Sequence, residues 1–265
     1  MPEIFIGEHN YKEYSVDNEY VEVNGERHYL SAKCGKVKPG FASLPHNFEL
    51  IPKNEVESRA KDLVEAKATL EHVVRRARGG KAIPGKDQNG TNFCWTNSPA
   101  GAVEWLRELQ GEPYVELSPA SVANPLTGGR NDGGYIEDAL EQITKVGIAS
   151  AALYPVNAVG LKYWTPEAKA NAALHKVTNW VSLGRKDSTM AAKCWTCLLQ
   201  GMPVCFAYDW MGHAMTMGAI LPGMVWRVKN SWGDSWGDMG WGNFEFGRGT
   251  PDAAYVPEWC FASLK

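Results

Sequence analysis

The sequence predicts an α+β fold in two lobes, a mainly helical lobe followed by an antiparallel β-sheet or barrel lobe. Two observations carry this. Between Cys94 and Gly147, apolar residues recur at helical spacing and the runs stop at glycine or proline. After about Trp180, one further helical run gives way to short apolar stretches separated by Gly and Asp turns. Runs of helices followed by runs of strands indicate segregated α and β layers. A chain of 265 residues is long enough for one large domain or two packed lobes with a real core.

Residues 1–80 form an extension ahead of these lobes. Val21 to Tyr29 alternates around Asn24-Gly25, which predicts a β-hairpin. Pro39-Gly40 and Leu44-Pro45 mark loops. From Asn54 to Arg78 the pattern is helical, and Gly79-Gly80 stops it. The helical lobe is expected over 81–180, with helices from Ser98 to Leu109 and from Asp138 to Val146. The β-rich lobe is expected over 181–265. Asp187-Ser188 caps a helix that runs to Gln200, and strands follow at Val204–Tyr208, Ala214–Leu221, Met224–Lys229 and Trp241–Phe246.

Bulk properties narrow the function. A net charge of −3 gives no reason to expect nucleic acid or an anionic membrane as partner. No apolar run approaches the ~18–20 residues of a membrane span. The start, Met1 to Glu8, lacks a basic segment followed by a long apolar one, so a cytoplasmic location is expected. Cys194 and Cys197 lack the second ligand pair a zinc site needs, and with Met190 and Leu198 they fall on one helical face, so core packing is expected there. No cofactor and no metal are expected.

The chemistry concentrates in three segments. Cys94 stands just ahead of a helical run, with Gln88 six residues before it (94 − 88 = 6). His213 follows in Trp210-Met211-Gly212-His213-Ala214, and Asn230 in Lys229-Asn230-Ser231-Trp232-Gly233. Gln, Cys, His and Asn in that order supply an oxyanion donor, a thiol nucleophile, its base and the base's orienting partner. A cysteine is mostly thiol at neutral pH, and a helix N-terminus or a neighbouring imidazolium lowers its pKa.

From about Ala82 to Lys265 the chain resembles the papain family of cysteine peptidases. The Asn falls 136 residues after the Cys (230 − 94), inside the family's usual interval of ~130–150, and the His falls slightly short of it, at 119 (213 − 94). Asn131-Asp132-Gly133-Gly134-Tyr135-Ile136, a helical run and Leu153-Tyr154-Pro155 match a fourth family segment. The resemblance implies a site in the cleft between the lobes, with Cys94 as nucleophile, His213 as base, Asn230 as its orienter and Gln88 as oxyanion donor beside the Cys94 N–H. It implies that Trp232 shields the His213–Asn230 hydrogen bond and that Trp95 supports the nucleophile. Gly133 and Gly134 would bind extended substrate backbone. Tyr135, Ile136, Ala207 and Ala214 would line a pocket for a bulky apolar side chain. Peptides or proteins are the expected substrates.

The chain departs from the family in informative places. Thr91 and Asn131 stand where secreted members carry a disulfide, which again points to a reducing compartment. Asn92 and Phe93 replace small residues beside the nucleophile. Pro99 predicts a helix that starts later than Cys94 or kinks. Residues 1–80 have no counterpart in the family's mature domain. They are either an inhibitory prosegment, cleaved near Gly79-Gly80, or a permanent arm docked on the body or on an assembly partner. The alternative function is a structural or binding component of an assembly such as a phage or virus particle, with or without a peptidase site. A thiol amidase or transferase is a third reading.

Overall fold

The computed structural model describes residues 3–33 and 48–260. The helical half contains α3 (Cys94–Leu109), α4 (Ala120–Thr127), α5 (Ile136–Lys145) and α6 (Pro166–Ala172). Its core joins Trp95, Val103, Leu117, Ala139, Ile143 and Tyr154. The β-rich half contains β4 (Val177–Arg185), α7 (Met190–Leu199), β5 (Val204–Tyr208), β6 (His213–Leu221), β7 (Val225–Lys229), β8 (Trp241–Phe244) and β9 (Ala253–Cys260). Its core gathers Leu198, Phe206, Met217, Trp226, Val228 and Phe244. Cys194 and Cys197 lie buried in that same core.

The extension contributes β1 (Phe5–Ile6), β2 (Tyr20–Val23), β3 (Glu26–Tyr29), α1 (Lys53–Glu65) and α2 (Leu70–Ala77). The Asn24-Gly25 hairpin forms as the sequence predicts, with Val23 paired to Glu26. The seven-stranded sheet has the order β1-β8-β7-β6-β5-β9-β4. It is mixed, not purely antiparallel, because β1 pairs parallel to β8 (Phe5 with Asn243, Ile6 with Phe244). A strand that arrives from the far N-terminus is not bound by the hairpin connections that make the rest antiparallel.

Three further expectations need correction. The helical run of 54–78 is two helices, broken at Lys67, whose φ of 50° cannot continue a right-handed helix. The helix after the nucleophile starts at Cys94 itself, and Pro99 sits inside it. The Phe93 carbonyl accepts from the Thr96 and Asn97 N–H groups, so the first turn closes before the proline is reached. Helices α4 and α6 and strands β4 and β9 escape the sequence pattern, and β4 straddles the expected boundary at 180/181. The predicted loops at Pro39-Gly40 and Leu44-Pro45 lie outside the described residues. Among the described residues, no helix is long and apolar enough to cross a membrane.

A third apolar cluster lies where the halves meet. It joins Cys94 and Ala102 of α3, Ile136 and Leu140 of α5, Ala207 of β5 and Ala214 of β6. Ala32, from the extension, belongs to it too.

Candidate active site

Cys94 opens α3 on the helical side, and His213 opens β6 on the other. Both are fully buried. Asn230 directly follows β7, whose antiparallel pairing with β6 (Thr216 with Lys229) brings it back beside the start of β6. Its Oδ1 lies 2.7 Å from His213 Nε2 and also accepts the Ser231 N–H at 2.7 Å. The Ser231 contact fixes that atom as the amide oxygen. An amide oxygen only accepts, so Nε2 carries the ring proton and Nδ1 is left with its lone pair. Nδ1 is buried with no hydrogen-bond partner. The Trp232 ring packs over the imidazole at 4.8 Å between centroids, shielding the His213–Asn230 contact from water.

Gln88 is also buried, and its side-chain amide is engaged on both ends. Its Oε1 accepts from Ser231 Oγ at 2.6 Å. Its Nε2 donates to the Thr91 carbonyl at 3.2 Å and to the Tyr29 carbonyl at 3.0 Å. Tyr29 belongs to the extension. The amide expected to face an oxyanion therefore already holds a carbonyl oxygen of the same chain.

The residues after Tyr29 run across the cleft. The Ala32 N–H donates to the Gly212 carbonyl at 2.7 Å, and the Lys33 N–H donates to the Gly134 carbonyl at 3.0 Å. Gly134 belongs to the helical side and Gly212 to the β side, so this short backbone segment bridges both walls. Ser31 Oγ lies 3.9 Å from Cys94 Sγ and donates to the Asn92 carbonyl at 3.1 Å. A Cβ on Gly133 would stand 2.0 Å from the Ser31 carbonyl oxygen, so only glycine admits the segment there. Ile136, Ala207 and Ala214, expected to line a side-chain pocket, cluster with Ala32. Tyr135 is half-buried and precedes α5. Trp95 lies against Gly134, and its Nε1–H donates to the Asp132 carbonyl at 3.3 Å.

Burial under this segment sets the electrostatics. It raises the Cys94 thiol pKa, against hydrogen bonds from Ala214, Ser31 and Trp95 that favour the thiolate. It lowers the His213 pKa to about 4, against the Asn230 hydrogen bond. Both groups are neutral at pH 7. A thiol and a bare imidazole are the inactive counterpart of a thiolate–imidazolium pair.

The loop before Cys94 is tied without a disulfide. Asn92 N–H donates to Asn131 Oδ1 at 2.7 Å, Asn92 Nδ2 donates to the Asn131 carbonyl at 2.9 Å, and Asn131 Nδ2 donates to the Gly90 carbonyl at 3.1 Å. Thr91 Oγ1 donates to the Gln88 carbonyl at 2.7 Å. The described cysteines are all free.

Sequence reasoning did not find Ser31 or Ala32. Leu30-Ser31-Ala32-Lys33 carries no motif and sits far from Cys94 in the chain. The only hint was the hairpin immediately before it.

Comparison with known proteins agrees with this architecture. The chain is 26% identical over 237 residues to a probable cysteine protease of Arabidopsis thaliana, a match that spans 76% of this chain and 64% of that one. It is 24% identical over 175 residues to cathepsin L 2 of Paramecium tetraurelia, spanning 58% and 53% of the two chains. Among solved structures, digestive procathepsin L 3 of Tenebrio molitor superposes with a TM-score of 0.56 at 23% identity, over 66% of each chain. The Carica candamarcensis cysteine protease CMS1MS2 superposes at 0.55 and 19% identity, over 69% of this chain and 95% of that one. The chain is papain-like in sequence and in fold. No family model matches it. The sequence matches span between about half and two-thirds of these curated relatives' own length.

Proposed function

We propose that this papain-like chain is a thiol peptidase held closed by its own residues 29–33. Cys94 is the nucleophile, His213 Nδ1 the base, Asn230 the group that fixes its tautomer, and Gln88 with the Cys94 N–H the oxyanion donors. The observation that carries this reading is the His213–Asn230 pair, which leaves the ring proton on Nε2 and a bare, buried Nδ1, in the same protein as a buried cysteine that starts a helix. Cysteine proteases among the relatives support peptide bonds as the substrate.

Once the segment leaves, water re-enters and the Cys94 and His213 pKa values return toward their ordinary range. Proton transfer from Sγ to Nδ1 then gives the thiolate–imidazolium pair. The thiolate attacks the scissile carbonyl, and the imidazolium protonates the leaving amine. The imidazole then activates water to release the acyl group. Gln88 Nε2, no longer bonded to the Tyr29 carbonyl, is free to donate to the oxyanion.

Hydrolysis of short peptides under reducing conditions, for the intact chain and for Ala32→Arg, tests the proposal. Ala32 is buried in the interface cluster, so an arginine there cannot be accommodated and expels the segment while leaving Cys94, His213, Asn230 and Gln88 unaltered. Turnover that appears in Ala32→Arg and vanishes when Cys94→Ala is added supports it. No thiol-dependent turnover in either form overturns it. The blocked cleft also favours the second reading, a binding or structural component of an assembly, for which Ala32→Arg would stay inert.

A further inference from the structure

We infer that Glu26, His28 and Asp87 form a divalent-metal site of the zinc class, which ties hairpin β2–β3 to the loop that carries Gln88. Alternation along β3 puts Glu26 and His28 on one face of the hairpin. Asp87 stands one residue before Gln88, and its Oδ1 also accepts the Asn89 N–H at 2.9 Å. One ligand atom of each residue lies within 4.8 Å of the others. His28 Nδ1 is 3.8 Å from Asp87 Oδ1. Two donors on one zinc ion, each at about 2.0–2.2 Å, stand roughly 3–3.5 Å apart, so this pair needs only a small contraction. Glu26 is exposed, and its side chain is free to swing the remaining distance.

The second, independent observation is His28 itself. Its side chain is 1% exposed, yet neither ring nitrogen has a hydrogen-bond partner. A buried imidazole without partners is unfavourable unless something else takes its lone pair. The donor set is one imidazole nitrogen and two carboxylates, whose charges match a divalent ion. The one buried ligand is a nitrogen, which selects zinc-like ions over calcium or magnesium. The exposed Glu26 side leaves the remaining coordination to water.

No metal signal is legible in the sequence because the ligands come from two segments and follow no ligand spacing. The location matters for the site beside it. Trp232 packs 5.8 Å from the His28 ring and 4.8 Å from the His213 ring. Tyr29, next to His28, carries the carbonyl that occupies Gln88. A bound ion therefore holds in place the strand from which residues 29–33 enter the cleft. That consequence rests on the latent-peptidase reading, whereas the metal binding does not.

The test titrates Zn²⁺ into metal-free full-length Cys94→Ala protein, in which the competing thiol of the cleft is absent, by calorimetry and thermal melting. We expect saturable uptake of one ion and a rise in Tm on the order of 5 °C at a free concentration about a hundred times Kd. Glu26→Gln, an exposed change that the fold tolerates, weakens binding about tenfold or more, and His28→Gln abolishes it. His9→Gln, an exposed histidine elsewhere, leaves it unchanged. Uptake that survives both Glu26→Gln and His28→Gln, or no saturable uptake at all, overturns the site. Equal affinity for Ca²⁺ overturns the zinc class. Zinc uptake by the Cys94→Ala protein stands whether or not the chain hydrolyses peptides, so the two readings fail separately.

Discussion

Two parts of the extension are held in opposite ways. β1, α1 and α2 sink side chains into the body: Ile6, Val56 and Ala60 join the β-side core, and Leu70 and Val74 pack with Ile83, Trp105 and Trp241. Residues 29–33 cross the cleft on backbone hydrogen bonds: only Leu30 reaches the β-side core, and the small Ala32 fills the interface cluster. Apolar burial is worth about 1.5–3 kcal/mol per large side chain, while a hydrogen bond nets about 0.5–1.5 kcal/mol. The difference teaches that the extension is not one detachable unit. Its ends pack into the body, and on the proposed reading only its middle closes the cleft.

The strongest way to break this contrast is to delete residues 1–80. Ile6, Val56, Leu70 and Val74 are 2% exposed or less. Losing them removes roughly 6–12 kcal/mol, comparable to a whole domain's stability. We expect no cooperative thermal transition for the truncated chain. A retained cooperative melt would show instead that the whole extension is dispensable for folding, as a removable prosegment would be.

A smaller effect follows from pH. Burial lowers both His213 and His175 to about 4, from an ordinary 6.5. For a histidine depressed on folding, the unfolded chain binds the proton first. Stability is therefore fully present above pH 6.5 and is lost as pH falls toward about 4. Each group contributes on the order of a few kcal/mol. Denaturant melts across that range should show the loss, and it should shrink in Ala32→Arg, where water reaches His213. An unchanged slope would mean that the segment does not bury the imidazole.

The smallest effect concerns the loop itself. Asn131→Ala removes the two side-chain bonds to the Asn92 N–H and the Gly90 carbonyl, leaves the backbone one from Asn92 Nδ2, and should cost about 1–2 kcal/mol in denaturant melts. Cys94 should remain closed, because the covering segment does not use Asn131. Exposure of the thiol in Asn131→Ala would show that the loop, and not the segment, keeps the cleft shut.

How much of this was legible in the sequence follows from how local each signal is. The hairpin at Asn24-Gly25, helix α7 and strands β5 to β8 announce themselves through turn residues and periodicity. Gln88, Cys94, His213 and Asn230 stood out through order and spacing. Strands β4 and β9 did not, because they pair with each other across a long separation and their burial alternates irregularly. Helix α4, with Pro125 inside it, contradicts its own propensity and is carried by burial. The plug at Ser31 and Ala32 was invisible for a different reason. It is made by backbone groups meeting Gly134 and Gly212, and any small residues present the same groups.

The most direct measurement is the rate at which a thiol-directed epoxide labels Cys94, compared between the intact chain and Ala32→Arg, with the modified residue mapped. A cleft closed by residues 29–33 predicts slow labelling of the intact chain at neutral pH and labelling at least tenfold faster in Ala32→Arg, confined to Cys94 among the six cysteines. Equal rates in the two proteins would contradict closure by this segment, and labelling spread over several cysteines would contradict a selectively activated thiol.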